Sequence, residues 1–163
     1  MRFTTLTAAA ALTLGAFTAA QAYDPKETIA DLDARLAKIG APRIEGTEKV
    51  ADKTVPALFF GERKINNNYD VVDAVRKAHS ATATVFVKDG DEFVRVSTNV
   101  LTPEGKRGIG TQLARNKAYE AVAKGEQYCG PIDVLGTSFD ACYNPIKDGG
   151  GKIIGVSYIG HKK

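Results

Sequence analysis

The stretch Asp91–Leu113, DEFVRVSTNVLTPEGKRGIGTQL, decides the fold. Its first half alternates apolar and polar residues, the two-residue period of a strand with different surroundings on its two faces. Strict alternation puts Phe93, Arg95, Ser97 and Asn99 on one face and Val94, Val96, Thr98 and Val100 on the other. The valine face belongs against a core that includes the N-terminal helix. The opposite face carries an arginine beside a phenylalanine, and a basic glycine-rich turn follows closely. The spacing predicts a strand over Phe93–Leu101. Ala81–Val87 precedes it across Asp89-Gly90-Asp91, a hairpin signal with glycine at the tight position.

Downstream, Ile132–Leu135, Ser138–Ile146 and Ile153–Ile159 read as strands, the last two joined by the turn KDGGGK at Lys147–Lys152. Lys117–Lys124 reads as a short helix capped by Gly125. Upstream, Asp24-Pro25 sets an N-cap carboxylate before proline at the first helical position. Ile29, Leu32, Leu36 and Ile39 then form one apolar stripe that ends at Gly40 and Pro42. This stripe is expected against the sheet or against the same stripe of a second copy, as a homodimer. Tyr69–Ala78 reads as a second helix with Val71, Val72 and Val75 inward. Between the two helices the signal is weak, and only Pro56–Gly61 suggests a short apolar strand or turn. The predicted class is α+β, about five antiparallel strands with a long N-terminal helix.

Arg2, the apolar run Ala8–Phe17 and the A-x-A site Ala20-Gln21-Ala22 mark residues 1–22 as a signal peptide. One domain, 23–163, is then expected in the periplasm or secreted, mature from Tyr23 and without a transmembrane segment. Exported cysteines in even number pair, so Cys129 and Cys142 are expected to form a disulfide. The net charge of +3 is scattered along the chain and gives no nucleic-acid footprint.

No catalytic set is recognisable. Gly105–Thr111, GKRGIGT, lacks the Lys-Ser/Thr of a phosphate loop and the strand-to-helix context of a dinucleotide fold. Asp89, Asp91 and Glu92 lack EF-hand spacing. His79 and His161 are far apart, and His161 reads as a frayed terminal residue. There is no G-x-S-x-G motif and no cysteine left over as a nucleophile. An enzyme, a metal and a cofactor are therefore not expected. On spacing alone Arg95 is a solvated strand residue. Yet aromatics recur in the later strands at Tyr128, Phe139, Tyr143 and Tyr158, and a guanidinium flanked by phenol hydroxyls suits a small carboxylate.

The ordered series ATVFVKDGDEFVRVSTNV, EGKRGIGTQL and GEQYCGPIDVLGTSFDACYNPIKDGGGKIIGVSYIG resembles the Cache sensor domains, in particular the single-Cache type called the Cache 3/Cache 2 fusion, over roughly Ile44–Gly160. Such domains are the extracytoplasmic ligand-binding parts of bacterial chemoreceptors and sensor kinases. The resemblance implies a PAS-like sheet with helices on one face and a pocket on the other, often for short carboxylates such as acetate, propionate or pyruvate. It implies Arg95 as the carboxylate anchor, Tyr128 and Tyr143 as hydroxyl donors, and Phe86, Phe139 and Thr111 as pocket lining. Glycine-rich Gly110-Thr111 would close the pocket. Family members continue into a transmembrane helix and an output module, whereas this sequence stops at Lys163. The expectation is therefore a stand-alone periplasmic module for a small organic anion, acting with a membrane receptor or kinase partner. The alternative is a non-catalytic accessory for protein interaction or structure with a vestigial pocket.

Overall fold

A computed structural model describes residues 23–163; the expected signal peptide at 1–22 lies outside the described residues. Helix α1 spans Pro25–Ile39, and the Asp24 carboxylate accepts the Lys26 N–H at 2.8 Å. It ends at Gly40, where a Cβ would stand 2.4 Å from the Gly61 Cα. Gly40 also has φ +152°, so two glycines let the chain cross itself there. Strands β1 (Pro42–Val50), β2 (Lys53–Phe60) and β3 (Arg63–Lys64) form a small antiparallel sheet. Helix α2 (Asp70–His79) leads to β4 (Thr82–Asp89) and β5 (Glu92–Thr98). Helix α3 (Lys117–Ala123), β6 (Tyr128–Val134), β7 (Thr137–Lys147) and β8 (Ile153–Lys162) complete the domain. The main sheet is antiparallel in the order β5-β4-β8-β7-β6, so the α+β reading holds. The small sheet is the part that periodicity did not reveal. In β1 only Val50 is buried, which leaves no apolar alternation to read.

One face of the main sheet carries the principal core. Ile29, Leu32 and Leu36 of α1 pack with Val72 and Val75 of α2 and with Val85, Val87, Val94, Val96 and Ile159 of the sheet. The α1 stripe is thus buried within its own chain against the sheet, the first of the two placements expected for it. A second cluster fills the opposite face: Phe86, Phe93, Tyr143, Val156 and Tyr158 under Ala118 and Val122 of α3.

Cys129 and Cys142 sit directly opposite each other on β6 and β7 and are bridged, with a Cα–Cα distance of 4.2 Å. Removing the bridge releases an edge strand, and its loss is expected to cost about 2–5 kcal/mol. Urea unfolding of the Cys129→Ser/Cys142→Ser variant measures this, and an unchanged midpoint would exclude a stabilising role.

His161 is not frayed. It lies within β8, opposite Asp140 on β7, with its ring against Tyr23 and a buried Nε2 that makes no hydrogen bond. Burial, with a smaller contribution from nearby His79, lowers its pKa from 6.5 to about 4. The unfolded chain therefore binds this proton first, so folding stability should fall as pH drops from 6.5 toward about 4. His161→Gln should flatten that part of the stability–pH curve. An unaltered curve would place the ring in solvent.

Candidate functional site

The site is built where β5 departs from strict alternation. Arg95 pairs with Phe86 but Ser97 pairs with Val85, so Val96 is an extra residue in a β-bulge. Before the bulge, Phe93 and Arg95 point away from α1 and α2, onto the face that carries α3. Beyond it the faces exchange. Ser97 turns to the helical side, its Oγ donating to the Asn68 carbonyl at 2.5 Å. Asn99 follows: its Nδ2 donates to the Val72 carbonyl and its Oδ1 accepts the Ala83 N–H, each at 2.7 Å. Thr98 instead joins Arg95's face, its Oγ1 2.6 Å from that of Thr84. Of the four residues expected on the arginine face, only Phe93 and Arg95 remain there.

Cross-strand registers lay one row of hydroxyls over all five strands: Thr98, Thr84, Tyr158, Tyr143 and Tyr128. Arg95 and Phe86 occupy the neighbouring row, with the guanidinium 4.8 Å from the Phe86 ring centroid. Arg95 is only 3% exposed. Its Nη1 donates to Thr111 Oγ1 at 2.8 Å, while its Nε is buried without any hydrogen-bond partner. Among the described residues no carboxylate lies within ion-pair distance of it. Burial lowers the guanidinium's pKa, opposed by the nearby Tyr143 and Tyr158 phenols. Burial also pushes the Tyr143 phenol far up and that of Tyr158 to about 12, so both stay protonated and able to donate.

The glycine-rich segment runs along the outer edge of β5. Arg95 N–H donates to the Thr111 carbonyl and Gly110 N–H to the Arg95 carbonyl, both at 2.8 Å. Gly110 has φ +79°, and a Cβ there would meet Ala51 Cβ at 2.9 Å, so only glycine suits this approach. Thr111 reaches Arg95 from this strap, which is anchored by Arg107. That residue forms a bidentate pair with Asp73 of α2 at 2.8 Å, donates to the Thr98 carbonyl at 2.9 Å and lies over Tyr69. Arg107 is a tie between strap and helix.

Of the six residues the resemblance implied, the fold gathers four: Arg95, Phe86, Thr111 and Tyr143. Tyr128 lies over Gly130 on the edge strand, and its hydroxyl donates to the Pro131 carbonyl at 3.0 Å. Its ring is 6.3 Å from Tyr143, so it flanks the row instead of reaching Arg95. Phe139 lines a separate opening of about 350 Å³ with Thr82, Asn99 and Leu101. Tyr158 belongs to the site, its ring centroid 4.8 Å from that of Tyr143 and its hydroxyl 3.2 Å from Thr82 Oγ1. Its two-residue spacing from Val156, which puts both on one strand face, was the available signal. Four surface cavities of about 350–530 Å³ are lined by other residues, and Arg95 itself is buried, against Thr111 of the strap and the Phe86 ring.

Residues 18–163 match the family model described as the Cache 3/Cache 2 fusion domain. None of the curated proteins matches the chain. Among solved structures, the chain is similar to the E. coli DcuS sensor domain at 25% identity and TM-score 0.42, over 57% of this chain and 64% of that one. It thus spans less than two thirds of the length of that structure. Among the described residues no helix is long and apolar enough to cross a membrane. With a family match over nearly its whole length, the chain belongs to the Cache 3/Cache 2 fusion domain family.

Proposed function

We propose that the domain is a periplasmic binding module for a small organic anion, a short carboxylate, and that it passes occupancy to a membrane receptor or kinase. Family membership supports ligand sensing in general. One observation carries the choice of an anion: a guanidinium buried to 3% exposure, with an unpartnered Nε and no carboxylate beside it. An unpaired buried charge is costly to a fold, and an anionic ligand relieves that cost. Arg95 supplies the charge and a planar fork, Tyr143 and Tyr158 supply neutral donors, and Phe86 covers the apolar end of the ligand. The strap, which carries Thr111, must move to admit it.

The test is calorimetry and thermal unfolding of the mature protein with acetate, propionate and pyruvate. Saturation at about 100 times Kd should add roughly 2.7 kcal/mol of stability. No heat and no shift with these or any other small anion would favour the reading in which the closed pocket is vestigial and the domain is an interaction accessory.

A further inference from the structure

We propose that Asp33 of α1 is a positioning residue for this site, acting through the sheet from its opposite face. The inference rests on the anion-site reading of Arg95. Asp33 is half-buried on the helical side, where its Oδ1 accepts from Ser157 Oγ at 2.5 Å and its Oδ2 from Asn144 Nδ2 at 2.6 Å. Gln127 Nε2 donates to Asn144 Oδ1 at 2.6 Å, which orients that amide toward the carboxylate. Burial raises the Asp33 pKa, opposed by the two donors.

Asn144 and Ser157 are direct partners across β7 and β8. Their chain neighbours Tyr143 and Tyr158 are also direct partners, and successive residues of a strand point to opposite faces. A single carboxylate therefore grips the strand pair from one side at the place where the two tyrosines stand on the other. Without that grip the helix, β7 and β8 are free to shift against one another. The phenols move with the backbone of their own strands, and hydrogen bonds to an anion weaken steeply with misalignment.

The test compares the mature protein with Asp33→Asn, Ser157→Ala, their combination, and Leu36→Ala, a core substitution on the same helix that leaves the hydrogen bonds of Asp33 in place. Fluorotyrosine NMR reads the rings, assigned by Tyr143→Phe and Tyr158→Phe, and calorimetry with acetate and propionate reads the site. Asp33→Asn and Ser157→Ala should each shift the Tyr143 and Tyr158 signals and weaken binding about fivefold, the equivalent of roughly 1 kcal/mol. The combination should be no worse than the poorer single variant, because both break one grip. Leu36→Ala should lower the melting temperature and leave signals and affinity as they are. Unmoved ring signals in the first two variants, additive effects in the combination, or equal effects in Leu36→Ala would reduce Asp33 to a staple and overturn the proposal. If wild type binds neither anion, the short-carboxylate reading fails, and the ring signals alone still judge the positioning. Should Asp33→Asn not fold, Ser157→Ala decides.

Discussion

Leu32→Asp should leave the domain largely unfolded at room temperature. Leu32 is fully buried at the middle of the α1 stripe, between Ile29 and Leu36 and against the valine face of the sheet. Truncating a buried leucine to alanine already costs about 2–5 kcal/mol. Aspartate adds the desolvation of a carboxylate among apolar side chains, which its own protonation relieves only in part. A domain of this size has about 5–15 kcal/mol in total, so the sum consumes much of it. Circular dichroism and urea titration measure the outcome, with Leu32→Ala as the graded comparison. A cooperative transition at the wild-type midpoint in Leu32→Asp would mean that the stripe does not pack on the sheet.

That stripe was legible because a helix on a sheet writes its burial at three- and four-residue spacing, and nothing else in the sequence does so as cleanly. The valine face of β5 was legible for the parallel reason, a two-residue period. What failed was continuity. Adding Val96 to the strand costs nothing in composition, yet it turns Ser97 and Asn99 to the helices and brings Thr98 onto Arg95's face. A hydrogen-bonding residue such as Asn99 fits either face until the backbone decides which carbonyl it meets. The strand Pro42–Val50 escaped notice because it is largely solvated, so its pairing with β2 is made by backbone groups that every sequence possesses. Arg107 illustrates the same limit for charge. In sequence it is one more cation in a glycine-rich turn, and only the fold brings Asp73, 34 residues earlier, to its side. Arg95 stands out as a charge between valines, but spacing alone leaves it solvated, and the anchor role came from the family resemblance. The absence of a carboxylate near it is a three-dimensional fact.

Arg95→Met should make the unliganded domain more stable while abolishing anion binding. The two effects have one cause. Arg95 is enclosed, its Nε has no acceptor, and its other contacts are one hydroxyl, Thr111, and the face of Phe86. Replacing poorly compensated buried charge by an apolar side chain of similar length is often stabilising, here by about 1–2 kcal/mol after loss of those two contacts. The same change removes a charge-assisted, two-pronged grip on a carboxylate, each bond of which contributes roughly 1.5–3 kcal/mol, so affinity should fall at least about tenfold. Arg95→Lys should also bind more weakly, because an ammonium lacks the planar fork. Tyr143→Phe should cost less, about one hydrogen bond. Lys106→Ala is the control: it lies in the same glycine-rich turn and is exposed, unlike the tied Arg107. Thermal unfolding without ligand and calorimetry with short carboxylates separate the two halves of the expectation. A residue selected for stability would be missed on removal, whereas one kept for a ligand is a burden until the ligand arrives. If Arg95→Met melts well below wild type and binds anions as well, the guanidinium is a structural part of the core, and the anion must be sought elsewhere.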